Sequence, residues 1–95
     1  MSAYIIARIE VTDMDQYRKY TELTPAAVAK FGGRFIVRGG ETVTLEGPDE
    51  NRRVVVLEFP SLDQARAFFA SPDYARAKEL RKGAAIASFI AVEGV

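Results

Sequence analysis

An α+β fold in a single domain is predicted on three observations. Four short segments rich in Val, Ile, Phe and Tyr, at 4–11, 34–38, 53–59 and 86–92, have the length and composition of strands. Between them lie stretches whose apolar residues recur at helical spacing, opened by capping side chains and closed by glycine. No repeat, linker or low-complexity stretch interrupts the 95 residues, a length that suits one domain.

The first strand, Tyr4-Ile-Ile-Ala-Arg-Ile-Glu-Val11, is apolar at almost every position and reads as buried on both faces. Thr12 or Asp13 can then cap a helix, and Gln16 stands three residues after Asp13, the spacing of a capping box. Met14, Tyr17, Thr21, Thr24, Val28 and Phe31 predict a helix over 13–31. A kink or break is expected at Thr24-Pro25, because proline lacks the N–H and restricts the residue before it. Gly32-Gly33 ends the helix.

Arg34-Phe-Ile-Val-Arg38 is the second strand. Gly39-Gly40 and Glu41-Thr-Val-Thr-Leu-Glu46 follow, so 34–46 is either one long strand bent at the glycines or a tight hairpin. After the turn cluster at 47–51, Arg53-Val-Val-Val-Leu-Glu-Phe59 is the clearest strand of the chain. Ser61 and Gln64 give a second capping box, for a helix carrying Leu62, Ala65, Phe68 and Phe69. Ser71-Pro72 restarts a helix, serine as cap and proline at its first position, running through Tyr74, Ala77 and Leu80 to Gly83. Residues 86–92 are the last strand. The order β-α-β-β-α-β, with right-handed crossovers, defines a ferredoxin-like sandwich. It has one antiparallel sheet, its helices on one face and its first and third strands side by side in the centre.

The face left uncovered is not polar. Tyr4 and Ile6 lie on one side of the first strand and Val54 and Val56 on one side of the third, opposite Ile5, Ala7, Ile9, Val55, Leu57 and Phe59. Contiguous apolar surface of this extent marks an interface, and a two-fold homodimer with facing sheets is the simplest closed solution.

Several charged residues are candidates for chemistry. Read as parallel neighbours, the central strands would bring Arg8 and Glu58 together at one edge of the sheet, as a site or as a structural ion pair. Arg38-Gly39-Gly40-Glu41 resembles a phosphate loop, but no P-loop or dinucleotide fingerprint completes it, and a backbone bend is the simpler reading. Tyr74, Lys78 and Arg81 share one helical face; with Tyr17 and Tyr20 they could line a pocket for a carboxylate or a phenolic ligand, or merely cover the core. The acidic pairs Asp13/Asp15 and Asp49/Glu50 fall at cap and turn positions and read as structural.

Composition removes whole classes of function. Thirteen Lys/Arg balance thirteen Asp/Glu, against nucleic-acid binding and against a polybasic membrane surface. With no cysteine and no histidine, thiolate catalysis, Ser-His triads, His-ligated haem and most transition-metal sites are out of reach, so neither a metal nor a cofactor is expected. No apolar run approaches the length of a membrane span, and a cytoplasmic location is expected.

The elements Phe31-Gly-Gly-Arg-Phe-Ile-Val-Arg-Gly-Gly40, Leu45-Glu-Gly47, Val56-Leu-Glu-Phe-Pro-Ser61, Ala67-Phe-Phe-Ala-Ser-Pro-Asp-Tyr74 and Val92-Glu-Gly94 resemble those of the small bacterial proteins grouped as domain of unknown function 1330, over essentially the whole chain. The resemblance implies a dimeric α/β barrel built from ferredoxin-like protomers. It carries over Arg38, Gly39, Gly40, Glu46, Glu58, Ser61, Ser71, Tyr74 and Arg81, but it supplies no reaction. The wider superfamily contains cofactor-free monooxygenases, isomerases of small acids and haem enzymes, and fold analogy alone does not choose among them.

Two functions are therefore weighed. In one, the chain is a cofactor-independent enzyme acting on a small acidic or aromatic metabolite. Arg38 and Arg81, with Ser61, would bind the substrate, Glu58 would act as acid or base, and Tyr74 would donate a hydrogen bond. In the other, it is a non-catalytic homodimeric ligand-binding or stress-related module in which the same residues hold ligand or structure.

Overall fold

Alternation along the two central strands decides which side of the sheet the helices cover. In β1 (Ala3–Val11), Ala3, Ile5, Ala7 and Ile9 are buried, and in β3 (Arg53–Phe59) so are Val55, Leu57 and Phe59. Their intervening neighbours point to the other side. The computed structural model describes residues 1–95 and places three helices on the buried side: α1 (Met14–Lys30), α2 (Leu62–Phe69) and α3 (Pro72–Arg81). With β2 (Arg34–Arg38) and β4 (Ala85–Glu93) the order is β-α-β-β-α-α-β. The sheet runs β2-β3-β1-β4, every neighbouring pair antiparallel. This is the ferredoxin-like topology, with β1 and β3 central as expected.

Asp13, Ser61 and Ser71 cap the three helices, their side-chain oxygens accepting the N–H of Gln16, Gln64 and Tyr74, each at 3.1 Å. The two glutamines do not close capping boxes. Gln16 donates its side-chain amide to the Leu80 carbonyl in the last turn of α3, and Gln64 donates to the Phe31 carbonyl at the end of α1, each at 3.0 Å. Each satisfies an orphan carbonyl at another helix's C-terminus, and so ties elements distant in sequence. Phe59, Phe68, Tyr74 and Val28 are the largest side chains fully enclosed in the resulting core. No helix is long and apolar enough to cross a membrane.

Three expectations are corrected. The helix neither breaks nor ends at Pro25; α1 continues to Lys30, and the carbonyl that proline leaves without its usual donor finds another, described below. Residues 41–46 form neither a bent continuation of β2 nor the return of a hairpin. They run as a loop, Thr42 donating to the Glu50 carbonyl and the Glu50 N–H donating to the Thr44 hydroxyl, with Val43 and Leu45 exposed. Finally, β1 and β3 are antiparallel, with Tyr4 opposite Glu58 and Arg8 opposite Val54. Arg8 and Glu58 are thus separated by four residues along the ladder, about 13 Å. Arg8 pairs instead with Glu50 at 3.1 Å.

The second face of the sheet is open and apolar. Val37, Ile86, Ile90 and Val92 are all exposed, Ile86 at 67%, and Tyr4, Ile6, Val54 and Val56 are half-covered beside them.

Candidate functional site

The side chains that converge within this fold do so between the helices and the covered side of the sheet. Tyr17 and Tyr20 project from α1, one turn apart, with ring centroids 5.3 Å from each other. Tyr74, on the first turn of α3, reaches the same place, and its hydroxyl lies 2.8 Å from that of Tyr20. A small chamber remains beside these rings, with a free volume of about 30 Å³ and walls that also include Thr24, Val55 and Phe89. By the measure of one water per ~10–15 Å³, it holds two or three water-sized groups.

Three arginines surround the chamber. Arg38 and Arg53 line it directly. Arg81 stands behind the aromatic wall, its guanidinium carbon 5.5 Å from the Tyr20 ring centroid and 5.0 Å from that of Phe89. Arg81 is nine-tenths buried. The Nε atoms of both Arg53 and Arg81 are enclosed without a hydrogen-bond partner. Charge pairing makes this arrangement more telling. Arg8, Arg18, Arg34, Arg52 and Arg76 all sit in ion pairs with carboxylates. The unpaired arginines are Arg38, Arg53, Arg66 and Arg81, and the chamber gathers three of them with no Asp or Glu among its walls. Buried charge left unpaired is costly, and no carboxylate of the chain offsets it here.

Local sequence explains how each arginine is placed. Arg53 begins β3 with the same parity as Val55 and Leu57, which points it under the helices. Its guanidinium occupies the space where a Cβ on Gly39 would lie, and Gly39 has φ +72°, so both the conformation and the vacancy call for glycine. The Gly39 N–H is spent on the Val54 carbonyl at 2.9 Å, which removes it from any phosphate cradle. Arg38 stacks over Phe35, 4.3 Å from the ring centroid, and donates to the Thr21 carbonyl at 3.1 Å. Thr21 lies four residues before Pro25, so this is the carbonyl whose helical donor proline lacks. The proline therefore equips the helix with an acceptor that anchors Arg38 at the mouth of the chamber.

Ionisation is tuned accordingly. Burial raises the Tyr17 hydroxyl above its ordinary value, opposed by the adjacent Arg53 and, at longer range, by Arg81. Burial, reinforced by Tyr74, raises Tyr20 strongly. Both are neutral donors at physiological pH. Seven side chains with hydrogen-bonding groups thus line the chamber (Tyr17, Tyr20, Thr21, Thr24, Arg38, Arg53 and Tyr74), and none is a carboxylate or imidazole.

Of the residues singled out in the sequence, Arg38, Tyr74 and Arg81 come together here, with Gly39 making room for Arg53 and Ser71 capping the helix that carries two of them. Tyr17 and Tyr20 join them, as the pocket reading had it; Lys78 stays outside, exposed over the Phe69 ring at 5.2 Å. Glu58 does not join the group. It lies toward the open face at the far end of β3, accepting from Arg34 Nε at 2.7 Å and from the Tyr4 hydroxyl at 3.3 Å, and the Arg34 contact holds its carboxyl below the usual carboxylate range. Ser61 is occupied in capping α2, and Glu46 is exposed in the 41–46 loop. Arg53 was missed. Its signal was parity, since the Val55-Leu57-Phe59 alternation extended one step back puts a charge on the covered face.

The topology and helix layer define an α+β protein of the ferredoxin-like class, and solved structures bear this out. A protein of unknown function from Rhodopseudomonas palustris superposes with a TM-score of 0.78 at 19% identity, over 99% of this chain and 82% of that one. A dimeric ferredoxin-like protein of unknown function from Bacteroides fragilis gives 0.65 at 16%, over 98% and 96%. SnoaB, a cofactor-independent oxygenase from Streptomyces nogalater, gives 0.60 at 14%, over 99% and 93%. At these identities the likeness establishes the fold. No curated protein matches the chain. The family is settled by sequence: residues 2–95 match the model described as domain of unknown function (DUF1330), and the chain belongs to that family.

Proposed function

We propose that the chain is a cytoplasmic homodimer that binds a small acidic or aromatic metabolite, with its Tyr/Arg chamber holding the anionic group. The observation that carries this reading is the convergence of three carboxylate-free arginines, two with enclosed and unpartnered Nε atoms, on one aromatic-walled cavity. Guanidinium groups suit a carboxylate or a phenolate, and tyrosine hydroxyls supply neutral donors to the same oxygens. As an enzyme, the chamber would act by stabilising negative charge that develops on an oxygen, which requires no cofactor. SnoaB, with the same fold, is described as a cofactor-independent oxygenase. The second reading, a non-catalytic binding module, is favoured by one specific fact: the chamber is lined by no carboxylate, imidazole or thiol to serve as general base.

Binding separates the anion site from scaffold. Titration calorimetry with acetate should give saturable binding that falls at least about tenfold in Arg38→Met and in Arg53→Met, the loss expected for a charge-assisted hydrogen bond. Unchanged affinity in both variants overturns the reading. The homodimer is supported by the open apolar face and by the dimeric state of the Bacteroides fragilis neighbour. Light scattering should return twice the 10.5 kDa chain mass, and Val56→Asp should return the monomer. A wild-type monomer at micromolar concentration refutes it.

A further inference from the structure

A second and larger cavity opens between α2 and β4, where the helices stop short of the sheet's edge. Its volume is about 270 Å³, and seven of its eight lining residues are hydrophobic, including Ala65, Phe69, Ala70 and Ala91. Small side chains on both walls leave the gap: Ala70 ends α2, and Ala91 stands opposite Ile5 on β4, both exposed. The one charged lining residue is Arg66, the fourth arginine without a carboxylate partner.

The two cavities share walls. Ile5 and Phe89 line both the Tyr/Arg chamber and the edge cleft. Phe89 is half-buried, its ring 5.3 Å from Phe69 on the cleft side and 6.4 Å from Tyr74 on the chamber side, with the Arg81 guanidinium 5.0 Å from its centroid. A single aromatic ring therefore separates the arginine-bearing chamber of about 30 Å³, whose walls are otherwise mostly hydrophobic, from an apolar cleft of about 270 Å³. The chamber alone takes a head group of a few heavy atoms; a ring does not fit in it. An apolar cavity of ~150 Å³ already suffices for benzene.

We propose that the two cavities are one site for an amphipathic acid: the oxyanion lies at Arg38 and Arg53, which line the chamber, with the Arg81 charge behind its aromatic wall, and an apolar body about the size of one ring lies in the α2/β4 cleft. Phe89 is the partition past which the ligand threads. This rests on the anion reading of the chamber and narrows it to a substrate class. Small acids without a body occupy only the head position, and neutral compounds with the same body lack the guanidinium contacts.

The test compares three probes by calorimetry: acetate, 3-phenylpropanoate and 3-phenylpropan-1-ol. Burying a phenyl group adds roughly ten- to a hundredfold in affinity, so phenylpropanoate is expected to bind at least about tenfold more tightly than acetate and than the alcohol. Ala91→Phe fills the cleft from the strand and Ala70→Phe from the helix end, both at exposed positions. Each should bring phenylpropanoate down to the affinity of acetate, with circular dichroism confirming the fold. If acetate binds in an Arg53-dependent manner while phenylpropanoate gains nothing over it, or keeps its gain in both cleft variants, the two-cavity site is refuted and the anion site stands. An alcohol that binds as well as the acid also refutes it. If neither acid binds, the anion reading fails and takes this one with it.

Discussion

The Tyr20–Tyr74 pair offers the sharpest test of how the chamber is held. Their hydroxyls are 2.8 Å apart, both side chains are buried, and each hydroxyl has the other as its protein partner. Replacing either tyrosine with phenylalanine removes one neutral hydrogen bond and leaves the surviving hydroxyl unpaired in the core. A lost bond of this kind is worth about 1 kcal/mol, and a stranded buried hydroxyl costs about 1–3 kcal/mol. Tyr20→Phe and Tyr74→Phe should therefore each destabilise by about 1–3 kcal/mol, or roughly 4–20 °C in Tm for a domain of this size. The double variant leaves two apolar rings of unchanged shape and no stranded group, so it should cost less than either single change. The cycle thus predicts strong non-additivity between residues 54 positions apart in sequence. Urea unfolding at one fixed protein concentration measures it, since a dimer's stability depends on concentration. Additive effects, or single variants as stable as wild type, would show that chamber water satisfies each hydroxyl and that the pair is not a unit.

Other outcomes follow from the same geometry. Gly39→Ala should destabilise by about 1–2 kcal/mol, the cost of left-handed backbone for a residue with a Cβ, and should weaken acetate binding by displacing Arg53; unchanged affinity would show that Arg53 is not a ligand contact. Pro25→Ala should raise stability by up to about 3 kcal/mol by restoring a helical donor to the Thr21 carbonyl. The same change should weaken anion binding through loss of the Arg38 anchor, and a less stable variant would refute this account. Arg34, Arg52 and Lys30 lower the carboxyls of Glu58, Glu50 and Asp73 respectively. Folded values below unfolded ones, the latter near 4, mean stability that is complete above about pH 5 and is lost as pH falls through the folded values. Glu58→Gln should flatten that acid limb in thermal melts between about pH 5 and 2.

Much of this protein was legible in its sequence because the relevant physics is local. Capping by Asp13, Ser61 and Ser71, the helix restart at Ser71-Pro72, and alternation in 4–11 and 53–59 depend on neighbours a few residues away, and together they dictate the element order and the apolar second face. Arg38 was nameable as a candidate from Arg38-Gly39-Gly40, and Tyr74 and Arg81 from their shared helical face, a pattern that equally fits side chains covering the core. What the sequence could not decide was direction and partnership across the sheet. Only the antiparallel register of β1 and β3 sends Glu58 to Arg34 and Tyr4 and leaves Arg8 to Glu50. An alternating stretch such as 41–46 reads as a strand, yet it pairs with none of the four strands, and Thr42 and Thr44 hydrogen-bond with Glu50 instead, so it remains a loop. A kink or break was expected at Thr24-Pro25; instead the helix continues, and tertiary contact supplies the missing donor in Arg38, thirteen residues downstream of the proline. The chamber itself, and the cleft behind Phe89, exist only where α1, α2, α3 and β4 fail to fill the space above the sheet, and the volume left between packed elements has no signature in one dimension.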